Sequence, residues 1–494
     1  MLYNSYAFLA GFLPIVLMVY FGLAARVGPK ASLGWLTLAS LGFYAWWNPP
    51  YVALIVLSIL ANFALGHTLG VLGRGDHPRS RFWLATIGIT LNLILLGYYK
   101  YAHFFVETYD AVTGANISFG EIILPLGISF FTFEQIGYLV DAYGNRARPY
   151  TFVEYTFFVT FFPHLIAGPI IVHHELIGQI DGPKRFLFDA QNFATGTTLF
   201  VLGLAKKVLI ADTFADYSSH GFVEAAAGQT PHLLAAWLGI MAYALQLYFD
   251  FSGYSDMGLG LARMVNFKLP LNFDSPYKAV NIIEFWRRWH MTLSRFLRDM
   301  LYIPLGGNRH GTVRKHLNLF ITMLLGGLWH GAGWTFIVWG ALHGSYLVVN
   351  HTWRSLGSKQ MHDALDANKF AQQVSCIVTF LAVLVGWVFF RASGFAPAVR
   401  MLEGLVNLGQ SVPQGAWASL GKPLALCAAG YLAVRILPNS QEMLRRFEPA
   451  LGAIRDRRAL HWGLHSGWAL ITAVLAWASV LNITKVSEFL YFQF

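Results

Sequence analysis

"HLNLFITMLLGGLWHGAGWTFIVWGALHGSYLVVNHTW", residues 316–353, contains no Asp, Glu, Lys or Arg. A helix needs about 20 apolar residues to cross a ~30 Å hydrocarbon core. This run is therefore long enough to cross twice, and Gly331–Gly333 mark where it would turn back. Seven other charge-free runs surround it in the chain: Met1–Ala25, Ala31–Gly73, Phe82–Tyr99, Tyr155–His174, Ala225–Phe249, Phe370–Phe390 and Ala459–Thr484. Charged residues make up 12% of the 494 and the mean hydropathy is +0.49. That is about half the charge of a soluble protein, which has roughly 25%. A transmembrane barrel would show alternating segments of about ten residues, and none are present. The expected fold is an all-α polytopic membrane bundle of ten or eleven crossings, one integral-membrane domain over 1–494, with re-entrant or interfacial helices.

Local punctuation refines this. Asn48-Pro49-Pro50 should break the second run into a short and a longer helix. Ile117–Tyr143, Gln191–Ala205 and Lys422–Leu437 are weaker spans. Tyr6–Ala25 lacks a basic leader and a cleavage site and is expected to be retained. Cys376 and Cys427 lie in apolar segments without CxxC spacing, giving no disulfide framework and no zinc signature. The net charge of +10 does not point to nucleic acid, because the basic residues sit in short connections between spans. Arg26 and Lys30, then Arg74, Arg79 and Arg81, occupy alternate loops, which puts the N-terminus outside. After Arg146 the alternation blurs, with Lys184, Arg185, Lys206 and Lys207 out of place. Pro163, Gly168 and Pro169 are candidate breakers of a re-entrant segment. No internal repeat is evident.

The most polar connection, Arg263–Lys315, carries ten basic and three acidic residues and should be cytoplasmic. Within it, Glu284–Leu301 has helical periodicity: Trp286, Trp289, Leu293, Phe296, Leu297 and Met300 share one face, opposite Arg287, Arg288, Arg295, Arg298 and Asp299. An amphipathic helix at the membrane surface is expected there. His290 falls at the edge of its apolar stripe.

His330 lies fifteen residues beyond Lys315, about 22 Å along a helix at 1.5 Å per residue. An ionisable residue at that depth is a functional candidate, because its burial costs free energy unless a partner or cavity compensates. The flanking glycines fit either a small-molecule cavity or tight packing of helices. Asp250 and Asp256 in "QLYFDFSGYSDMGLG" cannot face lipid; they could orient a histidine, bind a cation or cap helix ends. Glu134 and Gln135 must also face the interior. His164, His173 and His174 lack HExxH spacing, so no metal site is read from them. P-loop, GxSxG, Rossmann and SxxK patterns are absent, which leaves ATP-driven transport and soluble-type hydrolysis unsupported.

Taken in order, "LPLGISFFTF", "FFPHLIAGP", "LQLYFDFSGYSDMGLGLARM", "FWRRWHMTLSRFLRDMLYIPLGGNRHG" and "LLGGLWHGAGWTFIVWGALHG" resemble the membrane-bound O-acyltransferases. The nearest likeness is to their bacterial branch, which contains the membrane component of alginate O-acetylation; the D-alanyl transferase of teichoic-acid modification is more distant. The resemblance runs to the closing "FLYFQF". It implies that His290 and His330 are the two signature histidines, with His330 catalytic where openings from the two membrane faces meet. It also implies a multi-pass protein of the bacterial inner membrane and a cytoplasmic thioester donor, acetyl-CoA or an acyl carrier, with no bound cofactor. The acyl group would pass outward, to a periplasmic polysaccharide O-acetyltransferase partner. Two positions depart from the family: His164 stands where glutamine is common, and His173-His174 replace a more usual basic residue.

The chemistry follows from the residue types. A hydroxyl near pKa 15 attacks a thioester only if a base takes its proton, and imidazole, with a reference pKa of about 6.5, suits that task. His330 is the expected base, with a covalent acyl-histidine as the open alternative. His290 with Arg287 and Arg288 is expected to bind the donor, and Asp250, Asp256, Trp286 and Trp329 to support the site. The rival reading is a proton-coupled exporter of a polysaccharide or lipid with His330 as its proton site. A further alternative is an acyltransferase for another envelope polymer: cellulose, teichoic acid or peptidoglycan.

Overall fold

The computed structural model describes all residues except 74–77, 119, 121, 410–414, 456–459, 484–489 and 491–494. Arg74 and, apart from Leu490, the "FLYFQF" ending lie outside the described residues. The described chain is helical, with one isolated β-bridge between Pro270 and Leu451.

Seven helical stretches among the described residues are long and apolar enough to cross a membrane: Ala7–Arg26, Pro50–Leu72, Pro78–Thr113, Ala190–Ser218, Leu233–Met264, Lys369–Arg391 and Ala416–Phe447. Pro29–Ala45, Ile128–Tyr143, Gly311–His330, Trp334–Leu356 and Ser466–Leu481 are further helices, shorter or more polar. The break at Asn48–Pro50 and the turn at Gly331–Gly333 fall where their turn residues predict.

The 32-residue Leu233–Met264 helix forms the buried axis. It runs antiparallel to Ala190–Ala205, and glycine makes the contact. A Cβ on Gly203 would lie 2.5 Å from the Gly253 carbonyl oxygen, and one on Gly196 would lie 2.6 Å from that of Gly260. Both pairs are spaced seven residues apart, so they recur on one face of each helix. Lipid tails are as apolar as leucine, so helices in a membrane associate by close backbone approach, which small residues permit.

Ionic pairs lock the same interface. Lys206 meets Asp256 at 2.6 Å, and Lys207 meets Asp250 at 2.7 Å and Asp212 at 3.0 Å. Lys206 and Lys207 fall out of step in the loop-charge alternation because they are not loop residues. They open the π-helical turn Lys206–Ala211 inside a continuous span and turn inward to carboxylates.

Two irregular segments, 161–172 and 265–281, are buried almost throughout. Non-helical backbone persists at such depth only when protein covers it. The first contains Pro163, Gly168 and Pro169, the expected breakers. Beyond the second, the single helix expected over Glu284–Leu301 is instead two short helices, Ile282–Trp286 and Met291–Leu297, followed by the π-turn Arg298–Tyr302. The chain between the two helices is pulled into the bundle, and Trp289 and His290 are buried with it.

Candidate active site

His330 is the last residue of the Gly311–His330 helix, and Trp334–Leu356 returns alongside it as a hairpin. A Cβ on Gly340 would lie 2.5 Å from the Met323 carbonyl oxygen, and Gly327 faces Gly340 across the contact. These glycines serve close packing, one of the two roles open to them from sequence. The His330 ring is walled by Trp329 (centroids 4.8 Å apart), Trp339 (4.9 Å) and Phe390 (5.3 Å).

The second imidazole arrives from the broken helix. His290 is fully buried and its ring centroid lies 6.4 Å from that of His330. Its backbone is left-handed, φ +41°, a conformation that costs a residue with a side chain about 1–2 kcal/mol. Asn272 holds it there. The Asn272 backbone carbonyl accepts the Met291 N–H at 2.9 Å. Its side-chain Oδ1 accepts from the Thr292 N–H and hydroxyl, and lies 3.1 Å from His290 Nδ1. A backbone N–H can only donate, so the atom facing it is the amide oxygen; His290 Nδ1 therefore carries the proton, and in the neutral ring Nε2 keeps its lone pair. Nothing in the sequence around Asn272 marked it.

A third buried histidine, His343, also went unremarked in the sequence. The Trp286 indole N–H donates to His343 Nδ1 at 3.2 Å, and the His343 ring packs 4.7 Å from Trp339, which in turn touches His330. Its only sequence signal is its place, four residues after Trp339 in the charge-free run.

Two cavities approach the imidazoles along the Gly311–His330 helix. One, of about 760 Å³, runs beside Lys315 and Met323 and reaches Trp286, Met291 and Thr292, next to His290. Arg287 and Lys315 contribute its positive charge, while Arg295 and Arg298 in the same wall are paired with Glu175 and Asp299. The other, of about 340 Å³, lies at the helix's far end and is lined by Trp47, Lys100, Phe130 and Trp329. Trp329 closes this cavity and packs against both rings, 6.0 Å from His290.

Lys100 binds the helix end itself. Its ammonium donates to the carbonyl of Trp329 at 2.5 Å and to that of His330 at 3.3 Å, and the Tyr101 hydroxyl donates to Leu328 O at 3.0 Å. The last four carbonyls of any helix lack an internal partner, and the bilayer core offers no water. The π-turn Gly97–Tyr101 brings two consecutive side chains, Lys100 and Tyr101, to the same helix end. In the sequence, Lys100 marks only the end of the charge-free run Phe82–Tyr99.

The other expected site residues divide. Trp286 and Trp329 belong to the aromatic wall. Arg287 is exposed and lines the large cavity, but Arg288 is buried, paired with Glu284 at 2.5 Å and bonded to the Asp274 carbonyl; the solvated basic face expected of it does not form. Asp250 and Asp256 bind Lys207 and Lys206, so their visible work is helix packing. Glu134 and Gln135 face inward as expected, Glu134 meeting His164 Nδ1 at 3.2 Å. His173 and His174 come within 4.8 Å of Asp141, a group with ligand-type atoms that the spacing of the histidines concealed. There Tyr150 and Asp141 occupy the two nitrogens of His173, and Arg146 holds Asp141 at 2.9 Å. These bonds give the cluster a structural task, clamping the Ile128–Tyr143 helix end to the chain after residue 172.

Comparison with known proteins adds the following. The profile of the membrane-bound O-acyltransferase family matches residues 140–395. A probable alginate O-acetylase of Pseudomonas putida is 40% identical over the full length of both chains. A peptidoglycan O-acetyltransferase of Helicobacter pylori is also 40% identical, over 83% of this chain and 80% of its own. A teichoic acid D-alanyltransferase of Streptococcus thermophilus is 30% identical over 55% of this chain and 68% of its own.

Proposed function

Because the chain belongs to the membrane-bound O-acyltransferase family, we propose that His290 and His330 form the centre at which an acyl group passes from an inner thioester to an outer hydroxyl. The protein is an acyltransferase and a multi-pass membrane protein of the bacterial inner membrane, which sets the exporter reading aside. The observation that carries the proposal is the placement of the two rings, 6.4 Å apart, between two cavities that approach from opposite ends of one helix.

The donor is a thioester, acetyl-CoA or an acyl carrier, entering the 760 Å³ cavity, where Arg287 and Lys315 meet its phosphates. His290, locked by Asn272, faces the carbonyl. An acceptor hydroxyl enters from the side of Lys100 and Trp329. His330 takes the hydroxyl proton as its oxygen attacks the thioester carbon. The C–S bond breaks, and the thiolate leaves with the proton returned by the imidazole. A positioned base of this kind typically contributes about 10²–10⁴-fold. The acceptor is a hydroxyl of a cell-envelope polysaccharide, alginate or a similar glycan, reached with a periplasmic O-acetyltransferase partner. The peptidoglycan enzyme's equal identity makes muropeptide glycan the second acceptor to try.

The test is transfer of radiolabelled acetyl from acetyl-CoA by purified wild type and His330→Ala. Loss of transfer with retained donor binding supports the assignment. Undiminished transfer removes His330 from the reaction. Oligomeric alginate and muropeptides, offered side by side with the partner enzyme, then identify the acceptor.

A further inference from the structure

Asp141 stands in the last turn of the Ile128–Tyr143 helix, and His173 and His174 open the short helix His173–Ile177 that follows the buried segment 161–172. One carboxylate oxygen and one nitrogen from each ring lie within 4.8 Å of one another. His173 Nε2 and Asp141 Oδ2 are 3.1 Å apart. Two ligands about 2.0–2.1 Å from one tetrahedral zinc ion lie about 3.3–3.4 Å apart, so this edge already has nearly the span that an ion needs. The remaining closure, at most about 1.5 Å, falls to His174, whose ring is exposed and can turn.

The contacts behind the donors fit ligation. The Tyr150 hydroxyl lies 2.6 Å from His173 Nδ1, and Arg146 Nε donates to the other oxygen of Asp141 at 2.9 Å. A ligating histidine gives its second ring N–H to an oxygen, and a ligating carboxylate keeps a hydrogen bond of its own. With no ion bound, a proton on His173 Nε2 bonds the carboxylate. With that proton on Nδ1, where the Tyr150 oxygen accepts it, Nε2 turns a lone pair toward Asp141 Oδ2 and both are open to a cation. The helix end is fixed as well: the Arg146 N–H bonds the Asp141 carbonyl at 2.8 Å, and Arg81 donates to the Tyr143 carbonyl at 2.5 Å. Arg81 belongs to a loop whose positive charge assigns it to the cytoplasm, so an ion arrives from that face. Two imidazoles and one carboxylate suit zinc, whereas magnesium and calcium prefer all-oxygen sets. We propose that Asp141, His173 and His174 bind a zinc-class divalent cation at the cytoplasmic face, with water in the remaining position. The ion braces the donor cavity, because Glu175, the residue after His174, holds Arg295 at 2.5 Å and both stand in that cavity's wall.

The test uses full-length protein in detergent, purified without a histidine tag and stripped with EDTA. Equilibrium dialysis against zinc chloride gives stoichiometry and affinity, and zinc-edge X-ray absorption gives the ligands. One zinc per chain is expected, with nitrogen and oxygen neighbours at about 2.0–2.2 Å and no sulfur. Tyr150→Phe removes an outer contact and should weaken binding about 10–100-fold. His174→Ala changes an exposed side chain, should fold, and should weaken binding at least as much. Zinc should raise the melting midpoint of wild type and leave that of His174→Ala unchanged, since a ligand of the folded state stabilises it. That pattern supports the site. Equal zinc affinity in wild type and His174→Ala, sulfur among the neighbours, displacement by equimolar magnesium, or no saturable binding overturns it. Acetyl transfer does not enter the readout, so the result stands apart from the acyl-transfer centre.

Discussion

Replacing Lys100 with methionine removes the ammonium that caps the helix carrying His330 while keeping a side chain of similar length. Two carbonyls, of Trp329 and of His330 itself, lose their donor. A buried acceptor left unsatisfied costs about 1–3 kcal/mol, so the pair is worth about 2–6 kcal/mol. If half of the midpoint, about 2 kcal/mol, falls on the placement of the His330 ring, kcat drops about 30-fold at one decade per 1.36 kcal/mol. Lys100 lines the outer cavity and not the donor cavity, so the acetyl-CoA KM should hold within about twofold. Lys100→Arg keeps a charged donor and should recover most of the rate. Tyr101→Phe loses one neutral hydrogen bond, about 0.5–1.5 kcal/mol, and should cost at most about tenfold. The assay is acetyl transfer at saturating and limiting donor, with thermal stability measured on the same samples. A Lys100→Met protein with wild-type kcat refutes the reasoning. A fall in stability with no change in kcat reduces Lys100 to a structural cap.

Asn272→Ala should lower kcat/KM for the donor at least about 100-fold, since it frees the left-handed His290 backbone and leaves three donors unmatched; a loss smaller than that of Thr292→Val would contradict the clamp. Gly203→Leu should abolish the monodisperse peak in size-exclusion chromatography, because even its Cβ meets the Gly253 carbonyl, whereas Gly22→Ala, with nothing within 4 Å, should be neutral. Burial alone would raise the Glu284 carboxyl, but the Val280 N–H, Arg288 and Arg455 together hold it below the usual carboxylate range. A depressed carboxylate contributes stability above its unfolded pKa of about 4.3 and loses it as pH falls further. Glu284→Gln should therefore melt lower than wild type at pH 7, and the gap should begin to narrow only as pH falls below about 4. A constant gap across that range would exclude the ionic origin. Trp329→Ala should open the outer cavity to water and raise thioester hydrolysis relative to transfer; an unchanged ratio would show that Trp329 does not seal the centre.

Where local pattern carries the information, the sequence was a good guide. The charge-free runs, the Asn48–Pro50 and Gly331–Gly333 breaks, the inward Glu134 and Gln135 and the burial of His330 all depend on residue type and spacing within one segment. The misreadings share a cause. Lys206 and Lys207 looked like loop charges because the carboxylates that hold them against the Leu233–Met264 helix, Asp256 and Asp250, are over 40 residues away. Arg288 looked solvated because periodicity assumes a continuous helix, and the chain breaks at His290 to bury Arg288 and Trp289 with it. Asn272 and Lys100 were invisible for a plainer reason. An asparagine in a loop and a lysine at the end of an apolar run are common, and only the fold shows what their hydrogen bonds hold.

Buried charge separates architecture from chemistry in this chain. A cation taken out of water needs compensation, and the kind of compensation differs by place. Lys206, Lys207 and Arg295 meet carboxylates from other segments, Arg295 meeting Glu175 at 2.5 Å. Such pairs fix how helices pack and leave no charge to offer a ligand. Lys100 instead meets the carbonyl ends of the helix that carries His330. Carbonyls offset a positive charge only in part, so what remains is directed into the adjoining space. The same pairing gives Asp250 and Asp256 a place in helix packing.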